Sequence, residues 1–270
     1  MTQLAAAETV IPAMLDTLAR RTLEDELYGV HSRIFRGVDR DAFVAYVIDS
    51  KAEHTWIQLY RDRAGALGGY MAVHIYERVI DGRMTAIVRG EMGTLREHRG
   101  ANLCAAFFAE RVIRYLAAHP LRPLYLLASF VHPSSYVQLV RYHDDVWPRE
   151  DAETPARIRG LMEELGDAFG LDRVDPANAL VRKVGWQTID ARADRAYWER
   201  CDRPGAQFFR RENPGYAEGH GLLTLAPLTA GIVARGLARY AYARSQRGVR
   251  RLAARARAGV RQLLPAPAAA

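Results

Sequence analysis

The sequence has few of the features that mark secreted or membrane-spanning proteins. Its 270 residues include only two cysteines, Cys104 and Cys201, which are too few for a disulfide framework. The most extended apolar stretch, "GLLTLAPLTAGIVARGLA", stops at Arg235 and does not reach the roughly 18 apolar residues that cross a bilayer. The N-terminus has neither a basic segment nor a clean apolar stretch before Asp16, so no signal peptide is predicted. These absences predict a cytoplasmic protein.

Several catalytic and metal-binding motifs are missing as well. The sequence has no HExxH, no paired CxxC, no GxSxG and no Walker-type loop. The stretch His143-Asp144-Asp145 offers only generic ligand types, so no metal site is predicted. Cys104 begins a predicted helix, where a small packing residue explains it better than a nucleophile does.

Acidic residues are absent after Glu218, and this makes the charge distribution uneven. Nine arginines follow that glutamate, whereas the other 29 basic residues are nearly balanced by 31 acidic ones. Residues 242–264 place Tyr242, Val249 and several leucines on one arc of a helix, and arginines fill the rest. A basic amphipathic helix is therefore predicted, with a break near residues 245–248. Such a helix suits an anionic membrane surface or an acidic acyl carrier protein, and packing against its own domain is equally compatible. Nucleic acid is disfavoured because aromatic residues do not alternate with the arginines.

The apolar spacing predicts a mixed α/β protein, and its composition, 49% hydrophobic and 26% charged, is that of a globular chain. Asp81-Gly82 is a strong hairpin signal, because both residues tolerate positive φ. The stretch "LYLLASFV" is apolar at nearly every position, as a strand buried on both faces should be. The predicted order is a helix over 9–27, strands over 55–60, 70–80 and 83–95, a helix over 102–118, a strand over 124–131 and a helix over 133–143.

The stretch "REHRGANLCAAFF" contains a turn between a strand and a helix. A helix N-terminus exposes unpaired N–H donors and the positive end of its dipole, so this turn could bind a diphosphate, with Arg99 adding a charged contact. The alternative is a plain surface turn in which Asn102 caps the helix.

The element order and this turn resemble the GNAT superfamily of acyl-CoA-dependent N-acyltransferases, over residues 28–142. The family pattern Arg/Gln-x-x-Gly-x-Gly/Ala aligns with residues 99–104, where Asn102 and Cys104 replace the two later small residues. The resemblance implies a GNAT-like, mostly antiparallel central sheet flanked by helices, with a helical C-terminal extension. The implied coenzyme-binding residues are Met92, Thr94, Arg99, Gly100, Ala101, Asn102, Leu103 and Cys104.

Two glycines, Gly90 and Gly93, lie close together in the strand before the turn, which predicts a bulge or a close approach of another backbone or a ligand. In the family this strand separates from the buried one, and the pantetheine arm of coenzyme A fills the gap. A free N–H near Met92 could there polarise the thioester carbonyl.

Direct acyl transfer to an amine needs a base and an acid. The resemblance places the acid on the helix after the buried strand, seven residues past an asparagine. Tyr142 stands seven past Ser135, where the asparagine is absent, and Tyr136 is the alternative acid. Glu91 is the predicted base.

His74 and His132 are the alternative bases. Beyond residue 142, "TPARIRGLMEELGDAFGL" is predicted as a helix, "NALVRKVGWQTI" and "GAQFFRREN" as strands, and "ENPGYAEGHGLLTL" as a loop. Two units are expected, a GNAT-like domain over residues 1–225 and a basic helical tail over 226–270.

The predicted function is acyl transfer from an acyl-CoA or acyl-carrier-protein thioester, with a long chain as one option, to an amine on a small molecule or peptide. The alternative is a non-catalytic acyl-CoA-binding or membrane-surface scaffold of the same fold, because the loop glycines and the helix asparagine are lost. Location is predicted as cytoplasmic, with peripheral attachment to the inner membrane face if the tail binds lipid.

Overall fold

The secondary structure comes from a computed structural model that describes Leu4 and residues 6–98, 103–243 and 245–246. Its strands are β1 (Ala6–Val10), β2 (Phe35–Arg36), β3 (His54–Arg61), β4 (Leu67–Ile80), β5 (Arg83–Thr94), β6 (Leu124–Phe130), β7 (Arg173–Asp175), β8 (Asn178–Lys183), β9 (Gln187–Thr188) and β10 (His220–Pro227). Its helices are α1 (Thr17–His31), α2 (Arg40–Phe43), α3 (Leu103–Ala118), α4 (Pro133–Tyr142), α5 (Ala156–Ala168), α6 (Arg192–Arg200) and α7 (Pro204–Glu212). Residues 230–243 are also helical.

Eight strands of the described chain form one sheet in the order β1-β3-β4-β5-β6-β10-β8-β7, and β2 pairs separately with β9. Neighbouring strands of the sheet are antiparallel, except that β5 and β6 are parallel. A parallel pair needs a crossover connection, and α3 supplies it. The predicted mixed, mostly antiparallel sheet flanked by helices is confirmed.

The hairpin between β4 and β5 is the longest pairing in the sheet. Asp81 and Gly82 form its turn with φ of 50° and 71°, as the sequence predicts. Pairing then runs without a register shift from Ile80 opposite Arg83 to Gly69 opposite Thr94. The predicted bulge at Gly90 and Gly93 is therefore absent from this pairing.

Close packing explains one of these glycines. A Cβ atom on Gly93 would lie 2.9 Å from side-chain atoms of Ile34 and Tyr70, so the position has no room for a larger residue. The close neighbours of Gly93 are side chains, whereas the alternative expectation was the approach of another backbone or a ligand.

The parallel pair β5–β6 separates soon after it begins. Its register comprises Ala86 with Leu124, Ile87 with Tyr125 and Val88 with Leu126. Beyond that point β5 stays paired with β4 as far as Thr94, and β6 stays paired with β10 as far as Phe130. The sheet consequently opens into a gap between the C-terminal parts of β5 and β6.

Helices cover both faces of the sheet. On one face, α3 and the helix over 230–243 pack on the strands through Phe107, Val112 and Val233. On the other face, α1 packs beside β3 and β4, while α5 and α7 pack beside β6, β8 and β10. Within the described part of the chain, no helix has the length and apolarity to cross a membrane.

The prediction of one helix over residues 9–27 is wrong. Ala6–Val10 is an edge strand, a 3₁₀ turn follows at Pro12–Met14, and α1 begins only at Thr17. Pro12 cannot donate a backbone hydrogen bond inside a helix, and the Asp16 carboxylate accepts the Ala19 N–H at 2.8 Å as an N-cap. These two local signals outweigh the apolar spacing.

Two predictions in the C-terminal part of the chain are also wrong. The stretch 205–213 is not a strand, because Pro204 starts helix α7, whose buried Phe208 and Phe209 face α4 and the sheet. The predicted loop over 212–225 contains a 3₁₀ turn and then β10, an inner strand of the sheet. The predicted boundary at 225/226 stays a prediction, and the tail from residue 247 onward lies outside the described residues.

Candidate active site

A cleft of about 650 Å³ occupies the gap between β5 and β6. It is lined by consecutive residues of β5, from Arg89 to Thr94, and by β6 from Leu127 to Phe130. Because successive side chains of a strand point to opposite faces, the cleft reaches both faces of the sheet. Two reactants could therefore enter from opposite faces and meet in the gap.

The backbone of β5 directs an N–H group into this gap. The Ala86 N–H donates to the Pro123 carbonyl on the β6 side at 2.8 Å, whereas the Leu95 N–H donates to the Gly68 carbonyl on the β4 side at 2.9 Å. With a continuous register, N–H groups along β5 alternate between the two sides. The Met92 N–H thus points toward β6 at a level where β6 has already separated.

Other predicted coenzyme-binding residues lie beside this position. Thr94 and Cys104 line the cleft, so the N-terminal end of α3 borders the gap. Burial raises the pKa of the Cys104 thiol to about 11, which agrees with a packing residue rather than a nucleophile. Arg99, Gly100, Ala101 and Asn102 lie outside the described residues, as does the side chain of Leu103.

Glu91, the predicted base, belongs to a buried polar network. Its carboxylate lies 2.9 Å from His74 Nε2, and both side chains are less than a tenth exposed. His74 Nδ1 in turn lies 2.9 Å from the Ser50 hydroxyl and 3.0 Å from the Thr55 hydroxyl. His74, one of the alternative bases, is therefore a partner of Glu91.

The network keeps Glu91 ionised. Burial by itself raises the pKa of this carboxyl, but the charges of His74 and Arg89 and hydrogen bonds from His74 and Tyr46 outweigh it. The net result is a pKa below the usual glutamate value. At neutral pH the side chain is a carboxylate that can accept a proton.

The other alternative base, His132, also lines the cleft and pairs with a carboxylate. Its Nε2 lies 3.0 Å from Asp190 Oδ2. Its Nδ1 accepts the Ser134 backbone N–H at 3.2 Å and lies 2.7 Å from the Ser134 hydroxyl, so the ring also caps helix α4. The pair brings together residues 58 positions apart, and no sequence pattern connects them.

Tyr142, the predicted acid, lies on the other face of the sheet from Glu91. It lines an apolar cavity of about 170 Å³ between α3, α4 and the helix over 230–243, and this cavity reaches Gly90 and Met92 in the gap. Its ring packs edge-on against Tyr240 at 5.6 Å between centroids. Tyr136, the alternative acid, is fully buried and donates to the Pro148 carbonyl at 2.8 Å, so its role is structural.

Two cleft residues that sequence analysis missed are Arg89 and Tyr46. Arg89 is only 4% exposed and donates a hydrogen bond to the Tyr46 hydroxyl. Burial raises the pKa of Tyr46 well above the usual tyrosine value, so this hydroxyl stays protonated. An arginine that directly follows the apolar run Ala86–Val88 and precedes Gly90 was the available sequence signal. No cluster of three metal-ligating side chains occurs in the described residues.

Comparisons with known proteins give low similarity throughout. No protein-family model matches the chain, and no curated protein matches it. Arabidopsis thaliana Naa50, in complex with the bisubstrate analogue CoA-Ac-MVNAL, is 13% identical, with 57% of this chain and 94% of that chain covered and a TM-score of 0.34. A ribosomal-protein-alanine N-acetyltransferase from Brucella melitensis is 15% identical, with coverage of 45% and 79% and a TM-score of 0.30. The NatC complex bound to Gag peptide and CoA is 9% identical, with coverage of 83% and 100% and a TM-score of 0.38.

The fold assignment rests on the sheet itself, because these likenesses are weak. A long strand leads through a turn and a helix into a buried parallel strand, which a further helix follows. The parallel pair opens beyond Val88 and Leu126, as the resemblance implies. The chain therefore has the mixed, mostly antiparallel sheet with one separating parallel pair that the resemblance to the GNAT superfamily implies.

Proposed function

We propose that the protein is an N-acyltransferase that moves an acyl group directly from a thioester to an amine. The observation that carries this proposal is the open gap beside β5, with the Met92 N–H directed into it. A fixed N–H donor at the point where negative charge develops on a carbonyl oxygen is a recurrent device of acyl transfer. The cleft gives access to this donor from both faces of the sheet.

The residues around the gap suit acyl-coenzyme A as the donor. When bound, it supplies a thioester carbonyl carbon that forms a C–N bond with the amine as its C–S bond breaks. Met92 and Thr94 would contact its pantetheine arm, and Met92 would donate its N–H to the carbonyl oxygen. Residues Arg99 to Asn102 would bind the pyrophosphate, as the sequence predicts. An acyl carrier protein, which presents the same thioester end, is the alternative donor.

The apolar cavity supports a donor longer than acetyl-CoA. It opens at Gly90 and Met92 and is lined mostly by apolar side chains, among them Phe108, Val112 and Leu237. Burial of an acyl chain there would contribute about 0.8 kcal/mol for each methylene group. A medium or long acyl chain is therefore part of the proposal.

Glu91 is the proposed base and Tyr142 the proposed acid. The Glu91 carboxylate faces the cleft from the face that carries His74 and Tyr46, so it would take the proton that the acceptor ammonium must lose before its nitrogen can attack. Tyr142 faces the opposite side of β5, where it would give its proton to the departing thiolate. His132, paired with Asp190, is the second candidate for the base.

A non-catalytic protein of the same fold, which binds acyl-CoA or acts as a scaffold at a membrane surface, is the second candidate function. The contact of Tyr142 with Tyr240 favours it, because the helix over 230–243 packs against the proposed acid. The arginine-rich tail is proposed to bind an anionic membrane surface or an acidic carrier protein, which implies a cytoplasmic location with peripheral attachment. Lipid attachment predicts co-sedimentation with anionic vesicles that is lost at high salt and absent with zwitterionic vesicles.

Calorimetry with coenzyme A, acetyl-CoA and a long-chain acyl-CoA tests the proposal together with a thiol-release assay over a panel of amines. Binding of the thioesters with amine-dependent thiol release is the expected result. Binding without release on any amine would favour the scaffold. If none of the three ligands binds, an acyl carrier protein remains as the candidate donor, and the same release assay would test it.

A further inference from the structure

Arg89 is a buried cation in the wall of the cleft. It is the first residue of β5 beyond the last register pair with β6, and it is 4% exposed. Moving an isolated charge out of water costs several kcal/mol unless paired groups compensate it. A buried guanidinium beside an open cleft therefore needs a partner.

The described residues form few hydrogen bonds and no ion pair with the Arg89 guanidinium. Arg89 donates one hydrogen bond, to the Tyr46 hydroxyl, and its guanidinium carbon lies 4.6 Å from the centre of the Phe169 ring and 5.3 Å from that of Tyr46. No carboxylate of the described residues forms an ion pair with it. A guanidinium has five N–H donors, and the described residues accept one hydrogen bond from it. No nitrogen of Arg89 belongs to the fully buried, unpartnered atoms of the described residues, so its other donors remain open to a ligand in the cleft.

Among the residues that the structure describes, one other arginine is deeply buried, and it shows the usual structural solution. Arg182 is 0% exposed, lies 2.5 Å from the Asp167 carboxylate and donates to the carbonyls of Leu171 and Glu163. Its charge is thus paired within the fold, although its Nε has no hydrogen-bond partner, and it lines neither of the two cavities. Arg89 differs in both respects, since no described carboxylate forms an ion pair with it, although the charge of Glu91 acts on it through space, and it borders the cleft.

Glu91 places an opposite charge beside Arg89. The two residues are separated by one position in an extended strand, so their side chains share a face and their Cα atoms lie about 7 Å apart. Both line the same cleft. A ligand with an ammonium group next to a carboxylate could meet Glu91 with its amine and Arg89 with its carboxylate.

We propose that Arg89 binds the carboxylate of the acceptor and that the acceptor is a free α-amino acid, rather than a peptide or a simple amine. This inference rests on the proposed acyl transfer. A peptide N-terminus lacks a carboxylate next to its amine, so it cannot satisfy both groups. The aromatic wall formed by Phe35, Tyr46 and Trp186 suits an apolar or aromatic side chain on the amino acid.

The experiment compares each amino acid with the amine that lacks only its carboxylate. The pairs are L-phenylalanine with phenethylamine, L-leucine with isopentylamine, and L-alanine with ethylamine. Binding is measured by calorimetry on the full chain in the presence of coenzyme A, and thiol release from acetyl-CoA and from a long-chain acyl-CoA is measured separately. In at least one pair we expect the amino acid to bind about 10- to 100-fold more tightly, the range for a charged hydrogen bond.

Variants assign that preference to Arg89. Arg89→Met should abolish it, and Arg89→Lys, which keeps the charge but loses the planar fork, should reduce it. Arg78→Met is the matched control, because Arg78 also stacks on a tyrosine ring, at 5.4 Å, but is 41% exposed and does not line the cleft. If Arg89→Met fails to fold, which circular dichroism would reveal, the reduced preference expected for Arg89→Lys is the result that tests the assignment.

Three results would overturn the inference: equal binding of both members of every pair, a preference that survives in the Arg89 variants, or no binding of any amino acid. A preference that depends on Arg89 but comes without thiol release supports the carboxylate site and contradicts acyl transfer instead. The results can therefore contradict the carboxylate site without contradicting acyl transfer, and the reverse.

Discussion

Replacement of Met92 by proline removes the backbone N–H that is directed into the gap. In most strand positions a proline would break a ladder hydrogen bond. Here the β4–β5 ladder does not use this N–H, because alternation along β5 assigns the odd-numbered residues to β4 and the even-numbered residues to β6. The substitution therefore deletes the proposed donor while it leaves the pairing with β4 in place.

The expected loss in kcat is about 100- to 1,000-fold, or about 3–4 kcal/mol of transition-state stabilisation, as for other single donors to a developing oxyanion. Initial rates of thiol release with the best acceptor from the amine panel measure it. Coenzyme A affinity should stay within about threefold of the wild type, because the donor acts on charge that develops during the reaction.

Met92→Ala is the matched control, because it keeps the N–H and removes a side chain that is 41% exposed. Thermal unfolding of both variants monitors the fold. If a folded Met92→Pro protein turned over as fast as Met92→Ala, the backbone N–H would have no part in acyl transfer and the central observation behind the proposed function would be lost.

Four further predictions test other parts of the molecule. Glu91→Gln should lower kcat about 100-fold, and an unchanged kcat would transfer the role of base to the His132–Asp190 pair. Tyr142→Phe should lower kcat with coenzyme A affinity unchanged, and full activity would remove this hydroxyl from the mechanism. Gly93→Ala should cost about 1–3 kcal/mol in urea unfolding, because its Cβ would meet two side chains at 2.9 Å, whereas Gly160→Ala, with no atom within 4 Å, should not destabilise α5. Burial lowers the pKa of His31 to about 4. Between pH 6.5 and pH 4 this side chain is therefore protonated in the unfolded chain but neutral in the folded protein. Stability should therefore fall by about 3 kcal/mol as pH drops from 7 to 4, and a His31→Gln protein that showed the same fall would contradict this assignment.

Local chemistry explains which elements could be predicted from sequence. The Asp81-Gly82 turn and the fully apolar β6 each carry a signal within a few residues, and both are present where expected. The helix predicted over 9–27 failed because Pro12 and the Asp16 cap are equally local signals that apolar spacing obscured. In α7, apolar and aromatic residues suggested a strand, although Pro204 and burial at positions 205, 206, 208 and 209 follow helical spacing.

The candidate site was predictable only where one strand contains it. Gly90, Glu91 and Met92 are adjacent, so one short stretch of sequence contains all three predictions, and the structure places the gap beside them. The partners of these residues come from distant parts of the chain. His74 reaches Glu91 through the β4–β5 register, and the side chain of Tyr46 comes from a π-helical turn over 44–48.

Arg89 shows why charge must be judged together with burial. In the sequence it is one of 38 basic residues and carries no motif. In the structure it is a nearly inaccessible guanidinium in a cleft wall, whereas the equally buried Arg182 is neutralised by Asp167. A buried arginine that forms an ion pair within the fold has a structural role, whereas one without such a pair beside an open cleft is a candidate to bind an anionic ligand. If Arg89→Met raised the free energy of unfolding and left acceptor selectivity unchanged, the charge would be a plain cost to the fold, and the acceptor would have to be sought among simple amines.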